Sequence, residues 1–129
     1  MNILDENIGK PQRERLRQHG VAIRQIGRDV GRLGIQDDEI IPLLLQLRQP
    51  TFFTRDVNFY KRDLRHAKYC LVYLVVEPAG VAAVVRRVLK HPAFNTAAKR
   101  MGTVIRAMPS ELTVWRLHAL QEEAIPWPR

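Results

Sequence analysis

The run Cys70-Leu71-Val72-Tyr73-Leu74-Val75-Val76 constrains the fold more than any other part of the chain. It carries no charge on either alternating face, so both faces of the strand it forms have to be covered. Strands buried on both sides lie in the middle of parallel sheets, with helices above and below. Met1–Leu4, Val21–Ile26 and Thr51–Thr54 are shorter strand-like runs. Between them fall helical segments. Pro11–His19 presents Leu16 inward and is closed by Gly20, and Asp37 to about Leu47 opens on three acids that oppose the helix dipole. Pro42 fits that second helix only if it lies within about the first turn.

Beyond the central run, Val81, Val84, Val85, Val88 and Leu89 follow helical spacing, with Arg86, Arg87 and Lys90 turned outward. A short helix is expected around Phe94, Ala97, Ala98 and Met101. Thr103–Met108 and Leu112–Leu117 form a hairpin around Pro109-Ser110, and the tail from about residue 119 is expected to be irregular. The expectation is one α/β domain over residues 1–129: a mostly parallel central sheet flanked by helices, closed by a C-terminal antiparallel hairpin.

The 21 Lys and Arg residues outnumber the 13 acids, for a formal net charge of +8. Long-range attraction then favours polyanionic partners, nucleic acid first and an acidic protein second. The lone Cys70 excludes an internal disulfide and fits a buried thiol in a reducing compartment. No apolar stretch approaches the ~18 residues of a membrane span. With a strand starting beside Met1, a cleavable leader is not expected, which makes the cytoplasm the default. The four histidines have no metal-type spacing, and the scattered glycines make no phosphate-binding loop.

Function in open α/β sheets collects beyond the carboxyl ends of the strands. Asp5 follows the first strand there and Asp56 the third, while Asp37, Asp38 and Glu39 begin the helix that feeds the third strand. Carboxylates gathered in this way repel one another unless a cation neutralises them, and Mg²⁺ or Mn²⁺ suits an all-oxygen ligand set. Each acid also has an ordinary explanation, Asp37 and Asp38 as helix caps and Asp5 and Asp56 as turn residues.

Three motifs resemble those of the PIN-like proteins of the DUF5615 group, small relatives of the toxin nucleases of bacterial toxin–antitoxin pairs: Leu4-Asp5-Glu6-Asn7, Asp37-Asp38-Glu39-Ile40 and Thr54-Arg55-Asp56-Val57-Asn58-Phe59. The resemblance covers about residues 2 to 76 in order and spacing. It implies a PIN-like three-layer fold and a Mg²⁺- or Mn²⁺-dependent ribonuclease, with Asp5, Asp38 and Asp56 as catalytic metal ligands and Asp37 and Glu39 as near alternatives to Asp38. Asn58 stands where the family carries a second acid, and would reach the cation through a water molecule. The implied partners are RNA and an antitoxin, itself a small DNA-binding protein.

Arg13, Arg55, Tyr60, Lys61 and Arg62 are candidate RNA contacts, the cations for phosphates and Tyr60 for stacking on an unpaired base. Arg55 or Arg13 would balance charge developing at phosphorus. Phe59 fits the core better than the RNA surface, and the aromatic tail with the hairpin is a candidate face for dimerisation or partner docking. Two other function classes compete with a nuclease. One is a PIN-like module that binds RNA or an antitoxin without cutting. The other is a phosphoacceptor signalling domain, disfavoured because Val75-Val76-Glu77-Pro78 lacks the expected Thr or Ser.

Overall fold

A computed structural model describes residues 1–129. Seven strands form one sheet: β1 (Asn2–Leu4), β2 (Arg24–Gln25), β3 (Thr51–Thr54), β4 (Cys70–Leu74), β5 (Val104–Ala107), β6 (Glu111–Trp115) and β7 (Glu123–Pro126). Their spatial order is β2-β1-β3-β4-β5-β6-β7. The first five are parallel, β6 adds antiparallel to β5, and β7 adds antiparallel to β6. The domain is α/β with a mostly parallel sheet and a C-terminal antiparallel hairpin, as the alternation of elements suggests.

Strand periodicity divides the core into two layers. Leu4, Phe53, Val72 and Ile105 face α1 (Lys10–Gln18) and α3 (Val81–Lys90), meeting Leu16, Val81, Val85 and Val88. Ile3, Phe52, Leu71 and Val104 face the other way, toward Ile40 and Leu44 of α2 (Asp37–Leu44) and toward Phe59 and Tyr69. Helix α1 ends on Gly20 at φ +76°, and the Gly20 and Val21 N–H groups bond back to the carbonyls of Arg17 and Leu16. That double closure needs a left-handed residue, which glycine supplies at least cost. The Cys70 thiol is fully buried beside Thr103, and burial pushes its pKa up to about 12.

Several sequence expectations need correction. The tail is not irregular: Glu123–Pro126 pairs with Glu111–Val114 as a seventh strand, and Trp127 Nε1 donates to the Met108 carbonyl at 2.7 Å. Pro126 is tolerated because β7 is an edge, where a missing N–H costs no ladder bond. Helix α2 stops at Leu44, and Pro42 lies in its second turn. Lacking an N–H, Pro42 cannot bond to the Asp38 carbonyl, and the chain loosens into i→i−3 turns at Gln46 and Leu47. The run Val21–Ile26 contributes only Arg24–Gln25 to the sheet, and the helix beyond Phe94 is one turn, α4 (Ala97–Arg100).

The strand order positions the site. From β1 the chain moves out to β2, then crosses back to place β3 on the other side of β1. The carboxyl ends of β1 and β3 therefore flank the point where connections diverge, the position at which open α/β sheets form crevices.

Candidate functional site

Asp5 and Asp56 leave the sheet side by side at this reversal. The Asp5 N–H donates to the Phe53 carbonyl at 3.0 Å, continuing the β1–β3 ladder by one residue. Thr54, fully buried at the end of β3, joins the two acids: its hydroxyl donates to Asp5 Oδ2 at 2.6 Å and accepts the Asp56 N–H at 3.0 Å. Asp56 Oδ1 accepts the Asn58 N–H at 2.9 Å and caps the 3-10 turn Val57–Phe59. Phe59 anchors that turn in the core, edge-on to Phe52 at 5.2 Å between ring centroids. With Asn7, Ile8 and Arg55, the two acids line a cleft of about 280 Å³.

The third acid comes from α2, and it is Asp37. The Asp37 and Asp56 carboxyl groups lie close enough for the charge of one to bear on the other. Asp38, the next residue, lines the neighbouring groove with Asp37, Asn58 and Lys61. Glu39 is held by Arg32 at 2.6 Å. Neither Asp37 nor Asp38 is the helix cap; that residue is Gln36.

Burial holds the Asp5 carboxyl above its usual range. The Thr54 hydroxyl and the Glu6 N–H pull it back, and the charges of Asp37 and Asp56 push it further up. Asp37 is raised as well, first by desolvation and then by the charges of Asp56 and Asp38. Carboxylates crowded in this way also favour a cation. The donor set, all carboxylate oxygen, fits Mg²⁺ or Mn²⁺. As placed, no three Asp, Glu, His or Cys side chains converge closely enough to hold an ion. Asp5 Oδ2 accepts from Thr54 and Asp56 Oδ1 from the Asn58 N–H, and side-chain rotation would be needed to gather the acids around one ion.

A buried clamp supports Asp5 from below. Gln25 donates through Nε2 to the carbonyls of Asp5 at 3.0 Å and Ile8 at 2.6 Å, and Arg13 donates to Gln25 Oε1. Arg13 is therefore not an RNA contact on the surface. It is 6% exposed, on the same inward face of α1 as Leu16, and it braces the loop that carries Asp5.

The other candidate RNA contacts diverge. Arg55 is exposed at the cleft, with Nε donating to the Val76 carbonyl at 2.9 Å. Lys61 is exposed in the adjoining groove, and Arg62 lies over the Trp115 ring at 5.7 Å. Tyr60 is not an open stacking platform: its hydroxyl bonds to Thr113 and Glu122, and Arg106 covers its ring. Of the histidines, His91 is structural. Its Nδ1 accepts the Ala93 N–H, so Nε2 carries the proton donated to the Pro126 carbonyl at 3.0 Å.

Thr54 was legible only as part of a motif, and its role makes a first prediction. Thr54→Val keeps the shape but strands the Asp56 N–H and removes the donor to Asp5. The expected cost is about 1–3 kcal/mol in urea denaturation. The Asp5 carboxyl should titrate higher still by NMR, since Thr54 holds it down.

Comparison of the chain with models of known families, with curated proteins and with solved structures finds no match. No helix is long and apolar enough to cross a membrane.

Proposed function

We propose that this protein is a PIN-like ribonuclease of the DUF5615 type, dependent on Mg²⁺ or Mn²⁺, and that it acts as the toxin of a toxin–antitoxin pair. The observation that carries the reading is the joining of Asp5 and Asp56 through Thr54 at the carboxyl ends of two adjacent parallel strands, with Asp37 of α2 near enough for its charge to bear on Asp5. The net charge of +8 supports a polyanionic substrate.

Asp5, Asp37 and Asp56 would hold the cation. Bound there, it would supply Lewis acidity toward a phosphodiester oxygen and lower the pKa of water. The chain's own groups do the rest. Thr54 fixes the spacing of two of the acids, and the Arg13–Gln25 clamp fixes the loop of the first. Arg55, with only Nε spent on the protein, offers its terminal nitrogens to a phosphate at the rim of the cleft. Lys61 extends positive charge along the groove that Asp37 shares.

The discriminating test separates the neighbouring acids of α2. Asp37→Asn is expected to lower Mn²⁺-dependent cleavage of single-stranded RNA by about a hundredfold or more, the scale of losing a group that stabilises transition-state charge. Asp38→Asn should stay within about threefold, a change of under 1 kcal/mol in activation energy. Undiminished cleavage by Asp37→Asn, or cleavage that survives chelation of divalent ions, would remove the proposal.

Asn58 motivates a second reading, a PIN-like module that binds RNA or an antitoxin without cutting, because an amide adds no negative charge. Metal binding separates the two. A nuclease saturated at a hundred times its Kd for Mn²⁺ should gain about 2.7 kcal/mol of stability. Thermal unfolding that Mn²⁺ leaves unchanged favours the module.

A further inference from the structure

The strand register runs a polar row across the sheet beyond its apolar centre. Thr54 pairs with Tyr73, Tyr73 with Arg106, and Arg106 with Thr113, so these side chains share one face. Asp5 extends the row at one end through its bond to Thr54. The row begins acidic at β1 and becomes basic at β5, three strands away, a separation of roughly 14 Å at ordinary strand spacing.

At the basic end, Arg106 and Tyr60 converge on one carboxylate, and Thr113 bonds to both of them. Arg106 Nε donates to Thr113 Oγ1 at 3.1 Å, and Tyr60 Oη lies 2.9 Å from the same oxygen. The Arg106 guanidinium stands over the Tyr60 ring at 4.9 Å. Into this cluster the segment preceding β7 sends Glu122, whose Oε2 accepts from Tyr60 Oη and whose Oε1 is 3.7 Å from Arg106. Both charged side chains keep about a third of their surface, Arg106 32% and Glu122 36%, so solvent and other anions can reach the pair. A guanidinium beside a phenol hydroxyl is a donor set for phosphate as much as for carboxylate.

We propose that Arg106, Tyr60 and Thr113 form a phosphate subsite for single-stranded RNA, on the same row as the carboxylate site, and that Glu122 fills it as an internal competitor. This rests on the ribonuclease reading, since the row matters only if RNA crosses it. An RNA strand with one phosphodiester at Asp5 would lay a phosphate further along the strand toward Arg106, displacing Glu122. Glu122 thereby lowers affinity for short or weakly held RNA and leaves longer strands able to compete.

The test is anisotropy binding of a labelled single-stranded oligoribonucleotide to the full chain in chelator, where no cleavage occurs. Glu122→Gln is expected to bind about fivefold tighter, the scale of one partly exposed ion pair. Arg106→Gln should bind several-fold weaker, and adding Glu122→Gln to it should recover nothing. Glu123→Gln is the control for charge alone, because Glu123 pairs with Arg116 outside the row. Equal gains from Glu122→Gln and Glu123→Gln would overturn the subsite. So would Glu122→Gln lowering the melting temperature with RNA affinity unchanged, which would make Glu122 only an anchor for β7. Either result leaves the nuclease reading standing, whereas no RNA binding by any variant, with no cleavage by the wild type in Mn²⁺, overturns both.

Discussion

Asp5→Asn should lose RNA cleavage by about a hundredfold or more and yet melt about 2–4 °C higher than the wild type in metal-free buffer at neutral pH. The two effects have one origin. Burial and the charges of Asp37 and Asp56 disfavour an ionised Asp5, while Thr54 can still donate to the amide oxygen of Asn. The sign with pH follows. Asp5 and Asp37 both bind protons more tightly folded than unfolded, so the stability they contribute is complete below the ordinary carboxylate value of 3.8. It disappears as pH rises through their raised folded values. Denaturation midpoints of the wild type should therefore fall over that window relative to Asp5→Asn/Asp37→Asn, and Mn²⁺ should abolish the difference. Calorimetry across pH, with and without Mn²⁺, checks it. An Asp5→Asn variant that is less stable than the wild type and still cleaves would show that Asp5 is an ordinary turn residue.

The largest expected loss of stability belongs to Phe52→Ala. Phe52 is fully buried between β1 and β4 and meets Phe59 edge-on. Truncating such a ring costs about 3–5 kcal/mol through lost transfer energy and the cavity left behind. Domains of this size have about 5–15 kcal/mol in total, so the variant should be near the edge of folding. The effect reaches the site, because Phe59 anchors the turn that Asp56 caps. Phe52→Leu should cost less than Phe52→Ala and still weaken Mn²⁺ binding. Urea denaturation with an unchanged m-value gives the first quantity and metal titration the second. A loss below about 1 kcal/mol for Phe52→Ala would place this layer outside the core.

The parallel strands were legible because their side chains are apolar on both faces, a pattern set by burial alone. β7 was not, since Glu123-Ala124-Ile125-Pro126 is mostly exposed and contains a proline. What makes it a strand is the open edge of β6 and the bond from Trp127 to the Met108 carbonyl, contacts that exist only once the chain has folded back. Asp5 and Asp56 could be found because position after a strand fixes them at the sheet's carboxyl edge. The choice between Asp37 and Asp38 depends on how α2 is rotated about its axis. Ile40 and Leu44 are the residues it buries, and Asp37 lies three and seven places before them, on the same side of the helix. Ile40, Ile41, Leu43, Leu44, Leu45 and Leu47 make the segment apolar nearly all round, so nothing in the chain marked that side. Arg13 is the converse case. It precedes Leu16 by three residues, which puts it on the inward face of α1, but an arginine is seldom buried, and its charge suggested the surface.

The sheet's two margins have a consequence for how this protein meets others. One border is only two residues long, Arg24–Gln25, and the other ends in Pro126, which has no amide proton to offer. Neither is a good template for an incoming chain, so stacking of monomers border to border into fibres is opposed at both ends. A regulator that recognises this molecule has to seat itself on loops and helices. An inhibitory peptide built to extend the sheet should therefore fail where one shaped to the groove of Asp37 and Lys61 succeeds.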